Sequence, residues 1–247
     1  MAYSLLITSE KLSQIKGLRF GMSTRNGGVS ADPYGMNTSL RVGDEAERVH
    51  ANRQKLLSML GVEDVPLAVP LQCHSSVVRI ADRAGEYRDC DALATSQTGL
   101  ALGISVADCL PIVLYDGAQR AVALVHAGWR GTAEGIAEHA VRVMAREFRT
   151  NAADLTVYLG PSAGVCCYEV GPEVAERFPA AFLTRRPNGQ YLDLKGANLR
   201  QLLGVGVERK NIEVSTHCTI CEPDLFHSYR RDRDRSGRMM AVVCLIH

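Results

Sequence analysis

The chain of 247 residues has no dominant charge. Lys and Arg number 28 against 27 Asp and Glu, a net charge of +1, and no face is obviously basic. The electrostatic footprint of a nucleic-acid binder is therefore missing. Long apolar runs are absent as well. The opening MAYSLLITSEKLSQ holds only a brief apolar run between polar residues, so neither a secretory signal nor a membrane span is expected there. No stretch rich in Pro, Gly or Ser divides the chain, and there is no repeat or low-complexity tract. One domain over 1–247 is the expectation, long enough to bury a full core. Without a leader, the eight cysteines read as reduced thiols of a cytoplasmic protein rather than a disulfide framework.

What the chain does have is ordinary for a globular enzyme, 46% hydrophobic and 22% charged residues, with one stretch that stands out. Ser105 to Gly131 reads SVADCLPIVLYDGAQRAVALVHAGWRG. Its two aliphatic runs, IVLY and AVALV, flank the turn Asp116–Arg120 and predict a buried β-hairpin. Asp108 and Cys109 enter the first strand and His126 leaves the second, so the hairpin brings the thiol and the imidazole together. The glycines of AGWRGTAEG allow a sharp turn into a helix over 131–148, with Ile136, Ala140, Val143, Met144 and Phe148 on one face.

Elsewhere, STRNGGVSADPYGMNTSLRVGD (23–44) lacks hydrophobic periodicity and reads as a long loop. Its Arg25, Asn37 and Arg41 suit hydroxyls and phosphate, or are ordinary residues of a solvated loop. Residues 44–60 predict an amphipathic helix ended by Gly61, and 192–205 a further one. LAVPLQCHSSVVRIAD gives two short strands with Gln72-Cys73-His74 between them, and CTICEPDLFHSYRRDRDRSGRMMAVVCLIH two strand-like runs around a charged, solvated turn. Cys218-x-x-Cys221 has no second C-x-x-C to complete a zinc site and no thioredoxin-like setting, so incidental thiols are expected. The adjacent Cys166 and Cys167 are expected as two reduced thiols.

His74, Cys109 and His126 form a sharper set. Two imidazoles and a thiolate suit Zn²⁺ and leave a fourth position open, the pattern of a catalytic site. The same atoms equally suit a Cys109 nucleophile activated by His126, and spacing does not separate the two.

At these residues the chain resembles a known family. Gln72-x-His74, Asp91-Ala92, Ala107-Asp108-Cys109-x-Pro111, His126-Ala-Gly-Trp-Arg-Gly131, Gly160-Pro161, Tyr168-Glu-Val-Gly171, Cys218-Thr219 and Phe226-x-Ser-Tyr-Arg-Arg231 occur in its order. It is the YfiH-like, or laccase-domain, family, once described as polyphenol oxidases and now as purine nucleoside phosphorylases. The resemblance runs from about Gly21 to the C-terminus. It implies an α/β (α+β) fold, a single-domain layered sandwich of mixed β-sheets flanked by helices, grouped with cysteine hydrolases. It implies zinc on His74, Cys109 and His126, and phosphorolysis of adenosine, inosine, guanosine and methylthioadenosine with adenosine deamination at the same site. MNTSL and QCHSS depart from the usual LNL-type and QVHG runs but leave the ligands in place.

The partners implied are a purine nucleoside and inorganic phosphate, taken by a monomer with no nucleic-acid or membrane partner. Arg25, Arg41, Arg130 and Arg230 are the candidates for phosphate, since a guanidinium binds it bidentately, with backbone N–H groups at the start of the helix after His126 as additional donors. Asp108 is placed to orient an imidazole or carry a proton, or else is a strand-end turn residue. A cysteine hydrolase acting on an amide, as in editing of peptidoglycan precursors, is the alternative. A copper-dependent phenol oxidase is disfavoured, because the chain has no His-x-His ligand pairs.

Overall fold

The computed structural model describes residues 4–247; the first three residues of the N-terminal stretch lie outside it. The N-terminal part supplies strands β1 (Leu6–Ile7), β2 (Leu18–Ser23), β3 (Leu67–Pro70), β4 (Val78–Ile80) and β5 (Gly85–Tyr87), with helices α1 (Glu10–Ser13) and α2 (Ala46–Met59). Strands β6 (Ala92–Thr95), β7 (Ala101–Val106), β8 (Leu110–Asp116), β9 (Ala121–Ala127) and β10 (Thr156–Leu159) follow, with α3 (Trp129–Ala133) and α4 (Ile136–Phe148). The remainder gives β11 (Glu169–Val170), β12 (Leu183–Arg186), β13 (Gly189–Leu192), β14 (Ile212–Val214) and β15 (Met239–Leu245), and helices α5 (Pro172–Ala175), α6 (Leu194–Gly204) and α7 (Tyr229–Asp232).

Two six-stranded mixed sheets, ordered β1-β2-β15-β7-β3-β5 and β14-β10-β8-β9-β6-β4, pack face to face. Residues alternate along each strand, and in the second sheet both faces are buried. Val122 and Leu124 of β9 enter the core shared with the first sheet, where Phe20 and Tyr158 meet edge-on at 5.3 Å. Ala123 and Val125 instead pack under α4 and α6. That two-sided burial is why IVLY and AVALV are continuous apolar runs. On the outer face of the first sheet, Leu56 and Leu57 of α2 cover Ala101, Met240 and Val242. The result is the expected α/β layered sandwich of mixed sheets flanked by helices. Among the described residues no helix is long and apolar enough to cross a membrane.

The hairpin forms as the sequence indicates. Leu110 pairs with Ala127 and Asp116 with Ala121, and the turn is closed by Asp116 Oδ1, which accepts from the amides of Ala118 (2.9 Å) and Gln119 (3.1 Å). Two expectations need correction. The helix read over 131–148 is two helices, because Gly135 has φ +82° and separates α3 from α4. The run CTICEPDLFHSY forms loop rather than strand, and only β15 is extended in the C-terminal stretch.

Candidate functional site

The ends of β3, β7, β8 and β9 open on one cleft of about 860 Å³, whose lining includes His74, Cys109 and His126. The ligand atoms of these three residues lie within 4.8 Å of one another, and the two imidazoles meet edge-on with ring centroids 5.2 Å apart. The register places Cys109 opposite Gly128, one step beyond the Leu110–Ala127 pair. A Cβ at Gly128 would sit 3.1 Å from Cys109 Sγ and 3.2 Å from His74 Cδ2. The absent side chain leaves the space that the three donors face.

His74 belongs to the loop between β3 and β4 and has φ +63°. Asp91, ahead of β6 and fully buried, holds that loop. Its Oδ1 accepts from the His74 amide (3.0 Å), and its Oδ2 from the amides of Cys73 (3.2 Å) and Ser75 (2.7 Å) and from Ser75 Oγ (2.9 Å). The same Oδ1 lies 2.8 Å from His126 Nδ1, which leaves Nε2 of that ring as its free donor atom. Gln72 ties the loop to β7, giving Nε2 to the Ser105 carbonyl (2.8 Å) and accepting the Ser105 amide at Oε1 (3.0 Å). One carboxylate thus fixes the His126 ring directly and the His74 loop through its backbone.

Donor type, open fourth position and carboxylate-backed histidine all fit a catalytic zinc site. Residues 19–246 match the family described as multi-copper polyphenol oxidoreductase laccase. The chain belongs to that family. A purine nucleoside phosphorylase YlmD from Geobacillus stearothermophilus is 37% identical over 242 residues, covering 90% of this chain and 88% of its own. An adenosine deaminase RL5 from an unknown prokaryotic organism is 36% identical over 260 residues, 96% of this chain and 99% of its own. The crystal structure of YlmD from G. stearothermophilus superimposes with a TM-score of 0.90 at 34% identity, covering 97% of this chain and 94% of that one.

In this laccase-family chain the electrostatics join the three donors. Burial by itself raises a thiol, yet His126 and His74 overcome it and bring Cys109 down to about 6. Burial likewise disfavours a charged imidazole, yet Cys109 and Asp91 raise His126 to about 9. Between those values a metal-free site holds a thiolate beside an imidazolium. Burial would also raise Asp91, but the hydrogen bonds from His126 and Ser75 hold it well below the usual carboxylate range.

Around this floor stand six arginines, Arg41, Arg53, Arg130, Arg230, Arg233 and Arg238, against two carboxylates, Asp108 and Glu86. Four of the guanidiniums are braced on aromatic rings: Arg130 on Trp129 (4.3 Å), Arg230 on Tyr168 (5.4 Å), and Arg238 (5.3 Å) and Arg233 (6.0 Å) on Tyr229. Arg41, Arg130 and Arg230 therefore lie where the sequence suggested. Arg53, Arg233 and Arg238 were missed, the last two because RRDRDRSGR (230–238) read as a solvated turn.

Three assignments are corrected. Arg25 does not line the cleft, and its Nη1 donates to the Pro223 carbonyl at 2.8 Å. Asn37 is fully buried and spends its amide on its own loop and on the backbone of Arg238. Its Nδ2 reaches the Ser39 carbonyl (3.0 Å) and Asp44 Oδ2 (2.9 Å), while Oδ1 accepts from the amides of Ser39 (3.1 Å) and Arg238 (2.9 Å). Asp108 lines the cleft but orients no imidazole, a role that falls to Asp91. Its Oδ1 accepts from Thr219 Oγ1 (2.7 Å), and its Oδ2 from Ser228 Oγ (3.0 Å) and the Arg230 amide (2.7 Å). It thereby anchors the C-terminal wall. The helix start after His126 is also a weaker anion site than expected, because α3 spans only five residues.

Proposed function

We propose that this protein is a zinc-dependent purine nucleoside phosphorylase that also deaminates adenosine, working as one domain. The observation that carries the reading is the His74–Cys109–His126 triangle at the floor of an arginine-ringed cleft. The names of the relatives support it. Bound zinc supplies Lewis acidity and an acidified water, the chemistry that deamination at neutral pH requires. His74, Cys109 and His126 would hold it, with Asp91 fixing the His126 ring and the backbone of the His74 loop.

The chain's own residues account for the rest. Phosphorolysis needs phosphate held against C1′ of the ribose while the base leaves with negative charge. Arg41, Arg130 and Arg230 are the residues proposed for phosphate, with Arg53, Arg233 and Arg238 adding positive field in a confined cleft. Tyr168 is a neutral phenol here, since burial and the Cys109 thiolate both push its pKa up. It can donate a hydrogen bond without adding negative charge. Tyr229 and Trp129 line the same cleft, each with guanidiniums over its ring. The cleft, about 860 Å³, falls within the range of small-molecule sites.

The test is release of hypoxanthine from inosine by the zinc-loaded protein. Release should require phosphate and disappear in His74→Ala and Cys109→Ala. A zinc-loaded protein that frees no base from inosine and phosphate sinks the reading.

A specific observation also favours the alternative. Cys109, His126 and Asp91 have the order and polarity of a nucleophile, base and orienting carboxylate. A cysteine hydrolase would label covalently at Cys109 and remain active after chelation. A multi-copper oxidase is not supported, because only two of the chain's seven histidines belong to the ligand clusters of the described residues.

A further inference from the structure

Eight free cysteines are described, and one of them serves the cleft. Four others meet elsewhere. Cys166 and Cys167 lie in the loop after β10, and Cys218 and Cys221 in the loop after β14. The two strands run parallel, with Leu159 beside Val214, so their following loops leave the sheet edge together. A parallel bridge between Ser162 and Cys218 continues the pairing, and the Thr219 amide donates to the Ser162 carbonyl at 3.1 Å. The second pair of sulfurs that Cys218-x-x-Cys221 lacks in sequence is supplied by an adjacent pair from the neighbouring loop.

We propose that Cys166, Cys167, Cys218 and Cys221 form a second, structural zinc site. All four Sγ atoms lie within 4.8 Å of one another. Cys221 Sγ is 3.1 Å from Cys167 Sγ and 3.4 Å from Cys166 Sγ. Tetrahedral Zn–S bonds of about 2.3 Å give S···S edges of about 3.8 Å, so small outward shifts seat the ion. The Gly164 amide donates to Cys218 Sγ at 3.2 Å, the support that a ligating thiolate needs in its surroundings.

Four thiolates around Zn²⁺ carry a net double negative charge, and two cations, Arg186 and Lys195, stand beside the loops that hold them, with the Glu222 carboxylate on the Cys218 amide at 2.9 Å. Arg186 donates to the carbonyls of Cys166 (2.8 Å) and Val165 (3.2 Å). Lys195 Nζ donates to those of Ser215 and His217, both at 2.7 Å. Four protein ligands leave no open position, so the ion is structural rather than catalytic. It would staple two loops that build one wall of the cleft. Tyr168 follows Cys167 directly, and Thr219 next to Cys218 donates to Asp108.

Metal analysis of protein purified without chelator should give about two zinc ions per chain. C166S/C221S should fall to about one, and His74→Ala/His126→Ala should also keep about one, held by the four thiols. The two counts are independent, so the cleft site and the cysteine site fail or stand separately. In the cleft variant, cobalt exchanged for zinc should show the thiolate charge-transfer and visible bands of a tetrahedral four-sulfur site. Pulse alkylation of the wild-type protein needs no variant. The four cysteines should resist labelling until a strong chelator is added. Free labelling of the untreated protein, a disulfide among the four, or zinc content unchanged in C166S/C221S overturns the proposal.

Discussion

Asp91 carries more of the site than any ligand. Two oxygens take six donors, one of them His126 Nδ1 and three of them amides of the His74 loop. Asparagine would keep one oxygen and turn an N–H₂ toward groups that themselves donate. In Asp91→Asn we expect zinc affinity at the cleft site to fall about 10- to 100-fold, measured by chelator competition; unchanged affinity would show that the imidazoles hold themselves. The arginines divide just as sharply. Each charge-assisted contact contributes about 1.5–3 kcal/mol, so Arg230→Ala should raise the KM for phosphate roughly 10- to 100-fold. Arg25→Ala, whose guanidinium is spent on a distant carbonyl, should stay within about twofold by the same reasoning. Equal effects in steady-state kinetics would contradict the placement of both residues.

At the level of elements, local pattern marked what local forces decide. The hairpin, α2 and α6 follow from apolar period and turn residues, and Cys109 beside His126 follows from the hairpin alone. Residue chemistry made His74 a candidate, but spacing did not place it beside the hairpin, since its loop is held there by Asp91. Asp91 works mainly through backbone amides and left no side-chain spacing to notice. Cys166–Cys167 and Cys218–Cys221 meet because β10 and β14 are parallel, a pairing no local period encodes. The missed helix break has a testable cause. Gly135 adopts φ +82° with only His139 near its missing Cβ, at 3.8 Å, so alanine there meets strain without a clash. Gly135→Ala should cost about 1–2 kcal/mol in urea unfolding. A neutral or stabilising result would mean that α3 and α4 can fuse into one helix.

Across the whole molecule, the first and last parts of the chain meet at His227. Its ring is fully buried with no well-formed hydrogen bond to either nitrogen among the described residues, although the Tyr34 backbone faces it, and the Cβ position at Gly237 lies 2.7 Å from its Nε2 and 3.0 Å from Asn37 Cβ. Burial, then the charges of Arg25 and Arg238, outweigh the Tyr34 backbone contact and push its pKa down to about 3. Between that value and the unfolded 6.5, the unfolded chain binds a proton that the native state refuses, so stability is lost as pH falls below 6.5. From pH 6.5 to 5 the loss is about 2 kcal/mol.

In metal-free protein the cleft pair titrates as well, but alike in the wild type and in a His227 variant, so its contribution cancels in their comparison. His126, raised to about 9, contributes stability that is complete below 6.5 and lost as pH rises through 9. Cys109, lowered to about 6, contributes stability present above 9 and lost as pH falls through 6. The two slopes oppose each other between 6.5 and 9, and His126 is flat below that range. Asp91, already depressed, matters only nearer the unfolded carboxylate value. Replacing His227 by Phe removes both nitrogens and the proton the native state refuses. The stability difference between pH 7 and pH 5, measured by urea unfolding, should shrink by about 2 kcal/mol relative to wild type. Parallel pH profiles for the two proteins would show that His227 takes up its proton without leaving the core.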